Sequence, residues 1–153
     1  MQHAVAISQA TQADLPELMS ICAEHAAFER LPHVAGRDAG AMAEALQGTP
    51  PRLHAWLARV DEAVVGYASA TVDFSTLDRA DYLHMDCLYV RAPWRNRAVG
   101  RQLWEQVTTQ ARALRCASVQ WQTPAWNEAA ARFYRRLGAS EHAKLRYVLP
   151  LGG

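Results

Sequence analysis

The sequence predicts an α/β protein in which a mixed sheet carries helices on both faces. A polar turn at Asp61 and Glu62 separates two runs of β-type residues, which indicates an antiparallel hairpin. Further along, a strand, a long amphipathic helix and a short second strand follow one another. Strands joined through a helix in this way pair in parallel with a right-handed crossover. One sheet therefore contains both kinds of pairing, and helices must cover its apolar faces.

Length and composition indicate one domain spanning residues 1–153. Half of the residues are hydrophobic, and the net charge of +1 gives no sign of a nucleic-acid partner. Without a membrane-spanning apolar run or a signal-peptide pattern, the sequence favours a cytoplasmic protein with no membrane partner. Three cysteines at unrelated spacings, Cys22, Cys87 and Cys116, favour reduced thiols over a disulfide or a metal site.

Hydrophobic spacing and turn residues place the elements in the order β-α-α-β-β-β-α-β-α-β. Asp14 and Thr11 both qualify as the cap of the first helix. The predicted ranges are 5–7 (strand), 14–29 and 38–46 (helices), 53–60, 63–73 and 81–90 (strands), 97–114 (helix), 118–122 (strand), 127–137 (helix) and 144–149 (closing strand).

Three local signals refine this order. Gly66, inside a strand, indicates a bulge or a bend. Gly138 follows the last helix at a position that favours left-handed backbone geometry. In the long helix, apolar residues recur at helical spacing and form one buried stripe, made of Val99, Leu103, Val107, Ala111 and Leu114.

The turn after the central strand has the composition of an anion site. It reads R-N-R-A-V-G, from Arg95 to Gly100, and it opens the long helix. The first amides of a helix lack acceptors within the helix, and together with the helix dipole they attract anions. Small residues let an anion approach the main chain, and arginines add positive charge. On its own, however, an arginine-rich turn is more often a solvated loop.

The last predicted helix carries a second motif, W-N-E-A-A-A-R-F-Y-R-R-L-G-A, from Trp126 to Ala139. Asn127 is a favourable helix cap. The alanines keep the first turns of this helix slim. The phenol of Tyr134 needs a partner if it is buried, and a phenol also serves as a general acid. The residues alone leave both roles open for Tyr134.

Together the two motifs resemble the GNAT superfamily of acetyl-CoA-dependent N-acetyltransferases. The matching features are R-x-x-A-x-G after a strand that ends L-Y-V, and N-E-x-A-x-x-F-Y-x-x-L-G-A in the last helix. The likeness covers essentially the whole chain. Four further stretches make it most similar to the branch of diamine (spermidine/spermine) and thialysine acetyltransferases: R-C-A-S-V-Q-W, A-W-N-E, R-F-Y-R-R-L-G-A and F-E-R.

The resemblance implies an acyl-CoA N-acyltransferase fold with splayed central strands, which binds acetyl-CoA without a metal. It places the pantetheine arm along the backbone of the central strand and the pyrophosphate on the amides of the turn. It also implies that Tyr134 protonates the leaving thiolate. The implied cofactor-binding residues are Leu88, Tyr89, Val90, Arg95, Asn96, Arg97, Ala98, Val99, Gly100, Arg101, Asn127 and Tyr134.

The resemblance further implies direct attack on the acetyl carbonyl by the primary amine of a small molecule, such as a diamine or an amino acid. Asp86 matches the acid that removes the amine proton, directly or through water. Glu29 and Cys87 match positions in the substrate pocket, although the branch has a second acid where this chain has Cys87. Asp73 or Asp78 also qualify. An aspartate in a buried strand is costly without a partner, which favours function over a bulge role for Asp86.

The turn departs from the family at two positions, because Asn96 and Ala98 stand where glycine is usual. Asparagine tolerates left-handed geometry better than most residues. The methyl group of alanine permits close approach of the cofactor provided that φ is negative.

Two other functions stay open: a coenzyme-A-binding module without catalysis, and a protein or peptide N-acetyltransferase. The missing glycines and Cys87 favour the module, whereas Tyr134 and Asp86 favour an enzyme. His84 is a possible base, but a hydrogen-bonded sheet histidine is the simpler interpretation. Because the resembled branch tends to dimerise, we expect a homodimer.

Overall fold

The computed structural model describes residues 4–31 and 39–152, and the chain forms two compact units, Met1–Gln122 and Thr123–Gly153. The first unit contains the sheet, and the second contains one helix. Within the described ranges, none of the helices combines the length and the apolarity that a membrane span requires. A single domain over residues 1–153 stays a prediction.

The order of the elements follows the prediction up to the last helix. Short 3-10 turns at Gln12–Asp14 and Ala92–Trp94 precede the first and third α-helices. The elements are β1 (Ala6–Gln9), α1 (Leu15–Phe28), α2 (Ala39–Leu46), β2 (His54–Val60), β3 (Ala63–Ser75), β4 (Ala80–Val90), α3 (Val99–Ala113), β5 (Val119–Gln120) and α4 (Glu128–Arg136).

The five strands form one mixed sheet in the order β1-β2-β3-β4-β5, which confirms the predicted sheet. The first four strands pair antiparallel, and β5 pairs parallel to β4. Asp61 and Glu62 make the predicted hairpin turn, with φ of 49° and 71°. Positive φ at both central residues matches the twist of a two-residue hairpin. A register shift between Ala58 and Arg59 lies next to Gly66, where the sequence predicts a bulge or a bend.

Helices cover both faces of this sheet, as predicted. Adjacent residues of a strand point to opposite faces, and two neighbours in β3 show which helix covers which face. Tyr67 points toward α1, where its hydroxyl meets His25. Gly66 points toward α3, where an added Cβ would lie 3.3 Å from a methyl group of Leu103. The core cluster of the α1 face also contains Leu18, Ile21, Ala55, Leu57, Val64 and Tyr89.

Both predicted caps precede α1, but the Asp14 side chain makes no cap hydrogen bond to the α-helix. The Thr11 amide donates to the Asp14 carboxylate at 2.9 Å in the 3-10 turn, and Asp14 then precedes the α-helix. Arg59 of β2 donates to both Asp14 and Glu17 at 3.0 Å. The Thr11 amide and the Arg59 guanidinium lower the pKa of Asp14 despite some desolvation. These contacts fix the angle at which α1 leaves β1 and crosses the sheet.

The buried stripe of α3 is confirmed for four of its five residues. Val99, Leu103, Val107 and Ala111 are buried, whereas Leu114 lies beyond the helix and is half-buried. Full burial of a valine or leucine side chain contributes about 1.5–3 kcal/mol. This stripe therefore fixes the position of the N-terminus of α3 at the end of β4.

The predicted closing strand at 144–149 is wrong for the described residues. Residues 139–152 have no regular secondary structure, and Leu145, Tyr147 and Leu149 are at least 80% exposed. The period-two pattern alone does not make a strand, because a strand needs a partner for its backbone groups. Two other predicted elements have different bounds. The strand β5 covers two residues of the predicted 118–122, and Asp38, the predicted first residue of the second helix, lies outside the described residues.

Candidate active site

Asp86 occupies a β-bulge in the middle of β4. In the register of β3 and β4, Ser69 pairs with Cys87 and Ala70 pairs with Met85, so Asp86 faces no partner residue. Its side chain is exposed, which corrects the expectation of a buried aspartate. The extra residue breaks the alternation of faces and turns the carboxylate outward. An exposed carboxylate pays no desolvation cost, so the burial argument for its function does not hold.

A cluster of buried hydroxyl and thiol groups begins beside Asp86. The Cys87 thiol donates to the Asp86 carboxylate, with 3.7 Å between sulfur and oxygen. Besides burial, Cys87 and Cys22 both contribute to the raised pKa of the Tyr67 hydroxyl, and Tyr67 is 2% exposed. Burial and then the Asp86 charge raise the pKa of the Cys87 thiol to about 12. Burial also raises the pKa of Tyr67 far above its usual value.

The cluster continues into α1 through His25. The Tyr67 hydroxyl lies 2.7 Å from Nδ1 of His25, and Nε2 of His25 bonds the carboxylate of Glu29. The His25 ring also stacks on Tyr89, with ring centroids 4.8 Å apart. Glu29, predicted to face the substrate, is thus joined to His25. Sequence reasoning missed His25 and Tyr67, and the available signal was the four-residue spacing of His25 and Glu29 on one helix face.

The edge of β4 after the bulge is the place where the sequence predicts the pantetheine arm. Leu88, Tyr89 and Val90 pair with β3 along one edge. Along the other edge, pairing with β5 is limited to Leu83 and His84 within the described part of the chain. The two parallel strands therefore share a short ladder. This arrangement fits the expected splay of the central strands.

The two turn positions that depart from the family both have left-handed geometry. Asn96 has φ of 61° and Ala98 has φ of 64°. Asparagine adopts this conformation at modest cost, whereas a Cβ at positive φ costs alanine about 1–2 kcal/mol. The condition of a negative φ at Ala98 is therefore not met. Glycine would adopt both conformations without strain.

The N-terminus of α3 begins directly after Ala98. Ala98 directly precedes the helix, and the first hydrogen bond of the helix runs from the Gln102 amide to the Ala98 carbonyl. The amides of Val99, Gly100 and Arg101 therefore have no acceptor within the helix. Such a set of amides at the positive end of a helix dipole suits an anion.

The three arginines of the turn have different surroundings. Arg95 turns inward: its Nε donates to the Val90 carbonyl at 2.8 Å, and its guanidinium lies 4.7 Å from the ring centre of Phe28. Arg97 is exposed and lies over the ring of Trp94 at 5.3 Å. Arg101 is exposed on the first turn of α3. The two exposed arginines are available to an anion, while Arg95 links the turn to β4.

The second unit carries the other predicted motif on α4. The Asn127 side-chain oxygen accepts from the Ala130 amide at 3.2 Å, which confirms its role as the helix cap. Gly138 has φ of 90°, as predicted for the residue after the helix. Tyr134 lies on α4 with its ring centre 5.5 Å from that of Phe133.

The other candidate acids, Asp73 and Asp78, lie away from Asp86. Asp73 accepts from the Tyr82 hydroxyl at 3.1 Å, and Asp78 accepts from Ser75 at 3.0 Å. Tyr82 is four positions before Asp86 on β4, which is roughly 13 Å along a strand. Both acids therefore belong to the far end of the β3–β4 hairpin. Within residues 4–31 and 39–152, no three side chains of His, Cys, Asp or Glu gather as metal ligands.

Comparison with known proteins decides the family. The model of the acetyltransferase (GNAT) family matches residues 17–139, which is most of the chain. The chain belongs to the GNAT family of acetyltransferases. A thialysine N-epsilon-acetyltransferase of Caenorhabditis elegans is 26% identical over 118 residues, covering 77% of this chain and 72% of that protein. The enzyme is therefore an acetyltransferase of a family that uses acetyl-CoA.

Solved structures agree on the fold of this acetyltransferase. The aminoglycoside acetyltransferase meta-AAC0020, from an uncultured soil metagenomic sample and in complex with trehalose, has a TM-score of 0.83 at 16% identity, covering 97% of each chain. The aminoglycoside N-acetyltransferase AAC(6')-Iy in complex with CoA has a TM-score of 0.78 at 18% identity, covering 98% of this chain and 97% of that chain. At such low identity these likenesses show the shared fold, with its mixed α/β sheet.

Proposed function

We propose that this acetyltransferase transfers the acetyl group of acetyl-CoA to a primary amine of a small molecule. The observation that carries the proposal is the exposed Asp86 at the bulge, directly before the strand edge that runs from Leu88 to Val90. The carboxylate supplies a base, and the adjacent open strand edge supplies a place for the arm that carries the thioester. The likeness to a thialysine acetyltransferase supports an amine of amino-acid type.

The proposed binding mode follows the strand and the turn. The pantetheine arm pairs with the backbone of residues 88–90, and the pyrophosphate binds the amides of Val99, Gly100 and Arg101. Arg97 and Arg101 add charge at the mouth of the site, and Asn96 and Ala98 shape the turn. The match of α4 to the family motif supports roles for Asn127 and Tyr134 in binding the cofactor.

In the proposed reaction the amine attacks the acetyl carbonyl directly. An alkyl ammonium has a pKa of about 10.4 and must first lose its proton. Asp86 accepts that proton, directly or through one water, and Tyr134 protonates the leaving thiolate. A single carboxylate at the bulge, with Cys87 beside it, favours substrates with one cationic end near the reacting carbon.

The test is release of free CoA thiol from acetyl-CoA with a panel of amines, including lysine analogues, diamines and aminoglycosides. We expect turnover with at least one small amine. Asp86→Asn and Tyr134→Phe should each lower kcat by about 10² or more, the scale of losing a general base or acid. Asp73→Asn, in the distant hairpin, is the matched control and should keep its activity. Wild-type rates in both variants would remove these residues from the mechanism.

A protein or peptide substrate is the second candidate, and a preference for peptides over free amines in the same assay would show it. Tight binding of acetyl-CoA without any acetylated product would instead identify a binding module. The homodimer and the cytoplasmic location also stay proposals. The exposed, alternating Leu145, Tyr147 and Leu149 support the homodimer, because such a segment can pair with a second copy.

A further inference from the structure

We propose that Arg95 is a positioning residue that ends the open edge of β4 at Val90 and so sets where the thioester stops relative to Asp86. The open edge is the side of residues 88–90 that points away from β3. The inference rests on the proposed function, in which the pantetheine arm pairs with this edge. It separates Arg95 from the binding of the diphosphate, which the family resemblance implies for the turn. The observation behind it is the bond from Nε of Arg95 to the Val90 carbonyl, at 2.8 Å.

The register of β3 and β4 shows which backbone groups of β4 point away from β3. Gly66 pairs with Val90, and the Arg91 amide donates to the Val65 carbonyl at 2.8 Å, so Val65 and Arg91 form a hydrogen-bonded pair. In an antiparallel ladder, hydrogen-bonded and non-hydrogen-bonded pairs alternate. The amide and carbonyl of Val90 therefore point to the open edge, and two positions earlier those of Leu88 do the same.

The bulge produces this arrangement. Before the bulge, the Leu83 amide points to the β5 side, where it donates to the Ser118 carbonyl at 2.9 Å. The extra residue at Asp86 shifts the alternation by one position. Outward backbone groups therefore belong to odd-numbered residues before the bulge and to even-numbered residues after it. The open edge of Leu88 and Val90 thus follows directly on Asp86, the proposed base.

The side chain of Arg95 is held by aromatic rings as well as by Val90. Its guanidinium lies 4.7 Å from the ring centre of Phe28 on α1 and 5.6 Å from that of Tyr89 on β4. The two rings pack together, with their centres 5.8 Å apart. Aromatic faces attract a cation, and the planar guanidinium stacks on them well. Arg95 is half-buried in this setting, whereas Arg97 of the same turn is exposed.

A Val90 carbonyl that already accepts from Arg95 restricts how the arm can pair. The amide groups of the arm bond to the edge as a short strand would, and the Leu88 carbonyl is then the acceptor that residues 88–90 offer them. Outward groups recur every second residue, so the next register lies roughly 7 Å along the strand. An arm shifted to the Val90 carbonyl would withdraw the thioester by that distance from Asp86. An amine in contact with Asp86, directly or through one water, would then not reach the acetyl carbon.

The deciding experiment measures kcat and KM of the full chain with acetyl-CoA and with acetyl-pantetheine, which lacks the diphosphate. Arg95→Met keeps contact with the rings but removes the donor to Val90. We expect its kcat with acetyl-pantetheine to fall by about 10² without a rise in KM, because the thioester is misplaced while the arm still binds. With acetyl-CoA the fall should be smaller, since the diphosphate also anchors the arm. Arg97→Met is the matched contrast: it should raise KM for acetyl-CoA and leave both constants for acetyl-pantetheine unchanged.

The opposite kinetic pattern would overturn the proposal. If Arg95→Met raised KM for acetyl-CoA and left acetyl-pantetheine unaffected, Arg95 would be an anion ligand. Equal losses of kcat with the two cosubstrates would also overturn it, because they indicate general damage to the site. Phe28→Leu, which removes a ring beside the guanidinium, should show the expected pattern more weakly and decides the matter if Arg95→Met does not fold.

A crystal structure with bound CoA gives a readout that does not depend on turnover. We expect Arg95 to keep its bond to Val90, and the arm to bond to the backbone of Leu88 and to the Val90 amide. An Arg95 side chain turned to the diphosphate, or an arm bonded to the Val90 carbonyl, would overturn the proposal. If the wild-type protein acetylated no amine, the proposed function would fail, and this structure would still decide the role of Arg95.

Discussion

The Tyr67 hydroxyl and Nδ1 of His25 lie 2.7 Å apart in the core, although 42 positions separate the two residues in the chain. This bond joins β3 to α1 at the centre of the face that carries the bulge. A buried polar pair of this kind fixes one relative position of helix and sheet, because any other position leaves both groups unpaired. It therefore ties the geometry of the candidate site to the stability of the fold.

Tyr67→Phe tests this coupling. The variant leaves Nδ1 of His25 buried without its donor, and such a loss costs about 1–3 kcal/mol. We expect the free energy of unfolding in urea to fall by that amount. Tyr82→Phe removes the hydroxyl that donates to the exposed Asp73 and should change stability by less than about 0.5 kcal/mol. If both substitutions lowered the free energy of unfolding equally, the buried hydrogen bond would contribute no more to stability than the exposed one.

Ala98→Gly tests the backbone of the turn. Glycine removes the strain that φ of 64° imposes on alanine, but it also gives the unfolded chain more conformational entropy, which opposes the gain. We expect a net rise of about 0.5–1 kcal/mol in the free energy of unfolding. Ala27→Gly, on an exposed position of α1, is the control and should lower stability by up to about 1 kcal/mol. Destabilisation in both variants would contradict the strain at Ala98.

Gly66→Ala tests the contact between the sheet and α3. An added Cβ would lie 3.0 Å from the Tyr89 carbonyl oxygen and 3.4 Å from a methyl group of Val90. The carbonyl belongs to the backbone of β4 and cannot move without shifting the strand, so we expect a loss of about 1–3 kcal/mol from overpacking. At Gly152, no described residue beyond the two chain neighbours has an atom within 4 Å of the added Cβ, so Gly152→Ala should be neutral. Chemical denaturation of both variants measures the difference.

Cys87 provides a prediction of pH dependence. Its thiol has a pKa of about 12 in the folded protein, against an ordinary value of 9.0, so the folded state keeps a proton that the unfolded state loses. This contribution to stability is present below pH 9 and is lost as the pH rises toward 12, at up to about 1.4 kcal/mol per pH unit. Alkylation of Cys87 by iodoacetamide at pH 9 should be slow in the folded protein and fast in urea. Fast alkylation of the folded protein would contradict the burial of the thiol.

Much of the fold was predictable because the long elements repeat their apolar residues at fixed periods. The stripe of α3 and the hairpin at Asp61 and Glu62 are examples, and both depend on neighbours close in sequence. The segment at 144–149 shows the limit of this method. Its alternation is as clear as that of β2, but pairing depends on a partner strand that the pattern does not specify.

The candidate site shows a second limit, which concerns backbone detail. The bulge at Asp86 follows from the register between two strands, and the sequence offered it only as the alternative to a functional role. Burial of Tyr67 against His25 likewise depends on how α1 crosses the sheet. The left-handed conformation of Ala98 contradicts alanine's own preference and is imposed by the turn between β4 and α3. The sequence therefore singled out Asp86 and the turn as candidates, but not the contacts that surround them.

The most direct test of the central claim is calorimetric titration of the protein with acetyl-CoA and, separately, with acetyl-pantetheine, which lacks the diphosphate. If the amides at the start of α3 bind the pyrophosphate, acetyl-CoA should bind at least about tenfold more tightly, since one or more charge-assisted hydrogen bonds contribute more than 1.4 kcal/mol. Equal affinities for the two ligands, or no heat with acetyl-CoA at millimolar concentration, would contradict the account.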